Sequence, residues 1–165
     1  MTEEKKTEEK KPEDTRNIGI SKIYVKDFSF ESPKAPDVFR SSDWKPQTDL
    51  NLRSSHSAVE GEDDLHEVVL TITIDAKDGD TTLFLVEVQQ AGLFQIGGYS
   101  EEEFGAIVGS FCPNILFPYA REAVASTVTR GGFPEFVLQP INFDALYMQS
   151  RQQVAQQEAE GSEKH

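Results

Sequence analysis

The stretch "HEVVLTITIDAKDGDTTLFLVEVQQAG", from His66 to Gly92, constrains the fold more than any other part of the chain. Its first half alternates, with Val68, Leu70, Ile72 and Ile74 on one parity and Glu67, Val69, Thr71 and Thr73 on the other. Its second half sets Phe84, Val86 and Val88 inward against Leu85, Glu87 and Gln89 outward. A period of two belongs to β-strands whose faces meet different surroundings. Between the halves, Asp78-Gly79 suits a tight hairpin. The expectation is two antiparallel neighbours that are dry on one side.

Two further strands are expected before them. "IGISKIYVKDFSFES" places Tyr24, Phe28 and Phe30 on one parity and Asp27, Ser29 and Glu31 on the other, while "TDLNLRS" sets Leu50 and Leu52 against Asp49, Asn51 and Arg53. The segment joining them, "PKAPDVFRSSDWKPQ", holds Pro33, Pro36 and Pro46, which prevent regular pairing, yet it carries Phe39 and Trp44. At Ser100 the period changes. Ser100 and Glu103 form a capping-box pattern that opens a short helix, "EEEFGAIVGSF". A second helix is expected from Pro113, with Leu116, Ala120, Val124 and Val128 recurring every four residues and Arg130-Gly131 as its end. Pro113 fits a first helical position, but Pro118 cannot bond the carbonyl of Asn114, which predicts a kink or a new start near Phe117. A third helix is expected over "FDALYMQSRQQVAQQ".

Strands followed by helices define an α+β fold: a four-stranded antiparallel sheet with helices packed on one face and the other face partly solvent-exposed. The organisation expected is a disordered charged arm over 1–16, a single domain over 17–157 and a disordered acidic tail over 158–165.

Charge narrows the partners. The chain has 29 acidic and 16 basic residues and a net charge of −13. That balance speaks against nucleic acid and anionic membranes and favours basic partners. With one cysteine there is neither an internal disulfide nor a cysteine-based zinc cage. "MTEEKKTEEKK" lacks the apolar core of a signal peptide, and no apolar run approaches the ~20 residues that span a bilayer, so a cytoplasmic protein without direct membrane insertion is expected.

No convincing catalytic site emerges. Cys112 lacks a nearby helper in sequence, since His56 and His66 are distant and His165 is terminal, so a small buried or helix-start cysteine is the preferred reading. The histidines lack metal-site spacing and read as loop residues, with His56 in or near the hairpin loop. "QIGGYSEEEF" has no Lys-Ser/Thr, and its three glutamates would repel phosphate. Asp27 and Glu31 form an acid pair on the face read as wet, where charges usually serve solubility. What remains is apolar excess: Phe39, Trp44, Phe133, Phe136, Phe143, Leu146 and Tyr147 either close the core or line a groove between the proline-rich crossing and the last helix.

Five blocks, "IYVKDFSFESPKAPDVF", "DWKP", "FLVEVQQAGLFQIGG", "CPNILFPYAREAVASTVTRGGFP" and "PINFDALYMQ", occur in this order. Through them the chain resembles the SecB family of protein-export chaperones over nearly all of residues 18 to 150. The resemblance implies a non-enzymatic, cofactor-free homotetramer, a dimer of dimers, that holds unfolded secretory precursor proteins and delivers them to the SecA ATPase. It implies SecA docking at Asp27, Glu31, Leu85 and Glu87, with any zinc belonging to the partner. It implies client binding at Trp44, Leu50, Leu52, Phe143, Leu146 and Tyr147, and an interface role for the helix after Pro113. Two departures from the family pattern stand out: a more charged N-terminal arm, and Tyr147 in place of a typical phenylalanine. Two alternatives are a binder of small apolar ligands and a SecB-like chaperone devoted to one client or to a toxin-antitoxin pair.

Overall fold

A computed structural model describes residues 14–162 of the chain. Its strands are β1 (Asn17–Glu31), β2 (Gln47–Ala58), β3 (Leu65–Asp78) and β4 (Thr81–Gly97). They form an antiparallel sheet in the order β1-β4-β3-β2, so β1 and β2 are its edges. After the sheet come α1 (Glu101–Ala106), a π-helical turn (Ile107–Phe111), α2 (Cys112–Arg130) and α3 (Phe143–Ser162). A short 3-10 helix, Asp37–Arg40, interrupts the crossing from β1 to β2. The α+β fold is the one expected.

The core lies between one sheet face and α2. Val68, Leu70, Ile72 and Ile74 of β3 and Val86 and Val88 of β4 are buried, and so are Leu116, Phe117, Ala120, Val124 and Val128 of α2 above them. Each large apolar side chain moved there from water contributes roughly 1.5–3 kcal/mol, which favours the register that keeps the even-numbered residues of β3 and β4 under the helix. The odd-numbered residues Leu85, Glu87 and Gln89 are half-buried on the opposite, open face.

β1 departs from simple alternation. Register shifts fall between Ile20 and Lys22 and between Val25 and Asp27. Each adds an unpaired residue, and an extra residue swaps the faces of everything after it. The helix-facing set is therefore Ile18, Ile20, Ile23, Val25, Phe28 and Phe30, opposite the even-numbered residues of β4. Tyr24 pairs with Ala91, and so lies on the open face with Asp27 and Glu31 rather than with Phe28 and Phe30. There its hydroxyl donates to Glu67, whose carboxylate also pairs with Lys26.

β2 continues to Ala58, and His56 pairs with Val68 within it instead of lying in the hairpin loop. The β3–β4 turn has Gly79 at φ +58, a conformation L-residues seldom adopt, which explains the glycine of the Asp78-Gly79 pair.

The helical half differs from expectation in three places. The Ser100–Glu103 capping box forms as expected. Beyond it α1, the π turn and α2 follow one another without a loop, because the N–H of Cys112 reaches back to the carbonyl of Ile107. That wider turn passes the chain into Pro113, which has no N–H to give. Pro118 lies inside α2 and starts no new helix. Both it and Asn114 are exposed, so water takes the carbonyl that the proline leaves free. Finally, α3 runs to Ser162, past Gln157. Most of the charged arm, and the last three residues of the expected tail, lie outside the described residues.

Candidate functional site

Two surfaces with different chemistry leave the core. The first is a groove of about 610 Å³ between β2 and α3. Leu50, Leu52, Leu70 and Val108 form its apolar floor, and Phe143, Leu146 and Tyr147 face them from α3. The three α3 residues share a side of the helix because they are spaced by three and four. Leu50 and Leu146 are 46% and 44% exposed, which makes the groove an open apolar surface rather than a closed cavity.

Small residues set the position of α3. A Cβ at Gly109 would lie 2.5 Å from the ring of Tyr147, and one at Gly105 would lie 2.9 Å from its hydroxyl. The ring therefore rests on backbone at two points one helical turn apart. Asn142 accepts from the N–H of Ala145 at 3.0 Å and caps the helix start. Ser110 donates to Asp144, and Phe143 meets Phe117 edge-on at 5.6 Å. Past Tyr147, the side chains of α3 through Gly161 are exposed.

Leu50, Leu52, Phe143, Leu146 and Tyr147 thus meet in one groove, whereas Trp44 lies elsewhere. Its indole donates to the carbonyl of Val38 at 3.1 Å. Its ring packs 5.3 Å from Phe133, which also meets Phe39 at 5.2 Å and Phe84 at 5.1 Å. This cluster staples the crossing to the loop after α2. Phe39 remains 41% exposed at its rim.

The second surface is the open sheet face. Register brings its expected docking residues together: Asp27 pairs with Gln89, Ser29 with Glu87 and Glu31 with Leu85. Glu87 is steadied by Thr73, whose hydroxyl donates to it at 2.8 Å. Asp75 lies beside Leu85 and opposite Asp49, so the acidic patch extends across all four strands. Sequence reading missed this extension because each strand had been read alone. It also missed Gly105, Gly109 and Arg151 at the groove; the glycines' spacing of four on a helix was the available signal.

The one thiol is sequestered. Cys112 is fully buried, and burial pushes its thiol pKa up to about 12. His66 is held below the ordinary histidine range, first by burial and then by its neighbour His56; both rings meet Phe104 edge-on. Among the described residues no group of three or more potential ligands gathers in metal-binding geometry, and no helix is long and apolar enough to cross a membrane.

Comparison with known proteins identifies the family and the fold. Residues 10–154 match the SecB family, described as preprotein translocase subunit SecB. The protein-export protein SecB of Nitrosococcus oceani is 54% identical over 137 residues, covering 82% of each chain. That of Methylococcus capsulatus is 50% identical over 158 residues, covering 96% of this chain and 98% of the relative. Among solved structures, a Mycobacterium tuberculosis SecB-like chaperone in complex with an antitoxin peptide superposes with a TM-score of 0.62 at 19% identity. The match covers 75% of this chain and 90% of that one, a likeness of fold. With half or more of its residues identical to these export proteins over most of its length, the chain belongs to the SecB family of protein-export chaperones.

Proposed function

We propose that this export chaperone is a cytoplasmic holdase that captures unfolded secretory precursors in the groove between β2 and α3 and presents them to SecA through the acidic open face. The convergence of five expected client-binding residues on one open groove carries the reading. A holdase must accept many sequences, and apolar surface without demanding hydrogen-bond geometry suits that task. Burial of client surface contributes ~25 cal/mol per Å², offset by ordering of the chain, so a single groove binds weakly. Several grooves on one assembly raise the affinity through effective concentration.

In this reading the assembly is a homotetramer, a dimer of dimers, and the domain spans 17–157. Its support is the outer side of α2, where Pro118, Tyr119 and Ala123 border an apolar depression with Ile23 and Val25 of β1. Tyr119 is 52% and Val25 51% exposed, and both would be covered in an interface. The acidic residues Asp27, Glu31 and Glu87 around Leu85 suit a basic SecA segment. Phe39, exposed at the rim of the aromatic cluster, offers a second apolar step for a long client. The activity is binding, without catalysis or a resident cofactor. An open groove favours extended chain over a small apolar ligand.

Native mass spectrometry of the chain alone, with an unfolded precursor and with SecA tests the three parts together. The expected species are a tetramer, a tetramer–precursor complex and a tetramer–SecA complex. A monomer that binds neither partner would overturn the proposal.

A further inference from the structure

We infer that Asp75 is a further docking residue of the open face: with Glu31 it flanks Leu85, so that an apolar residue of the partner seats between two of the partner's own cations. This inference rests on the open face being where the basic partner segment docks.

The register sets three carboxylates and one leucine in a single row across the strands: Asp49 of β2, Asp75 of β3, Leu85 of β4 and Glu31 of β1. Neighbouring strands lie roughly 4.8 Å apart, so the two carboxylates beside Leu85 stand about 10 Å from each other. Lys or Arg side chains two or three residues to either side of an apolar residue in an extended segment reach both. The next row along the strands has one carboxylate, Glu87, and the row after it sets Asp27 against Arg53. Negative charge is therefore densest around Leu85.

The sheet itself has no use for a carboxylate at position 75. Asp is disfavoured in strands, and like charges directly opposite each other destabilise a strand pair. Asp75 stands on a central strand directly opposite Asp49, where threonine serves two residues earlier on the same face. Lys77 meets one of its oxygens, Oδ2, at 3.1 Å. The other, Oδ1, is buried and has no hydrogen-bond partner among the described residues, a cost that the fold does not offset. The side chain is still 28% exposed, so a turn of the carboxylate brings the orphaned oxygen to a donor arriving on the open face. A partner cation supplies what is missing: a counter-charge beside Asp49 and Asp75, and a donor for Oδ1.

The test measures SecA binding to the assembled full-length chain by calorimetry. Exchanging the ion pair, Asp75→Lys with Lys77→Asp, keeps the net charge at −13 and the pairing in place but puts a cation beside Leu85. Binding should weaken about tenfold, with thermal unfolding little changed. Asp75→Asn should weaken it about three- to fivefold, and Asp75→Glu should retain most of the affinity. Glu101→Gln makes the same change of net charge as Asp75→Asn at an exposed position on α1, off the sheet face, and should leave binding as it was. Full affinity in the exchanged pair, or equal losses in Asp75→Asn and Glu101→Gln, overturns the inference. Glu87→Lys separates the two readings. Weak binding there with full affinity in the exchanged pair removes Asp75 alone, whereas full affinity in both removes the open face as the docking surface.

Discussion

The aromatic cluster around Trp44 and the groove around Tyr147 are both built from large apolar side chains but present them differently. In the cluster, Trp44, Phe39, Phe84 and Phe133 meet one another through rings about as far apart as aromatic pairs prefer, and the indole N–H has a carbonyl partner. In the groove, Tyr147 has its back against Gly105 and Gly109 while Leu50 and Leu146 stay nearly half exposed. The first arrangement consumes its apolar surface inside the fold. The second holds it in reserve, on a helix held at its N-terminal end by Asn142, Phe143 and Asp144. Both are apolar, and backbone clearance separates them.

The contrast breaks first at Trp44. Replacement by Ala removes the indole from two aromatic neighbours, Phe39 and Phe133, and should destabilise the fold by about 3 kcal/mol, the lower end of the range for deleting a large aromatic. Urea unfolding measures this; an unchanged midpoint would move Trp44 from the staple to the client surface. Next comes Gly109→Ala, whose new methyl collides with the Tyr147 ring. A cost of about 1–3 kcal/mol is expected, together with several-fold weaker capture of an unfolded precursor, because α3 must shift away from the groove. Unaltered capture would show that α3 does not define the site.

A smaller effect should follow Tyr147→Ala or Leu146→Ala, each weakening capture about threefold with less than about 1 kcal/mol lost from stability. Calorimetry with a precursor paired with thermal unfolding distinguishes this from the cluster. On the other face, Glu87→Lys should weaken binding to SecA about tenfold while precursor binding stays constant. Equal SecA affinity in the variant would remove the acidic face from docking.

The smallest effect concerns pH. Because the folded His66 sits below its ordinary value, its contribution is fully present above that value and is lost as pH falls through the folded one. Between about pH 7.5 and 5 the unmodified chain should therefore lose about a degree or two more in Tm than His66→Phe, which keeps the contact with Phe104. Parallel pH profiles would rule that contribution out.

The fold was legible wherever one face is dry and one wet. β3 and β4 announce themselves because an antiparallel sheet covered on one side forces alternation, and Ser100 marks its helix by cap chemistry. The first strand was legible only in part. A bulge carries no compositional mark, so Tyr24 looked like a companion of Phe28 when the register puts it beside Glu67. Pro118 looked like a break because local rules count hydrogen bonds without knowing which carbonyls face water. The groove residues of β2 and α3 were reached through family resemblance. Periodicity alone left the same aromatics open as either core or groove, since only tertiary clearance decides between them.

The two bulges in β1 make the acidic face a matter of residue count. Deletion of the extra residue before Asp27 would restore simple alternation and leave Asp27, Ser29 and Glu31 on the open face, whereas deletion of Ser29, past the bulge, would turn Phe30 outward and Glu31 beneath the helix. No substitution at those positions would be needed to abolish the patch. Along this edge, insertions and deletions are therefore the severe class of mutation. Point changes at the acidic positions are the mild one, and a library that varies length and identity independently should lose the patch chiefly through length changes beyond Asp27.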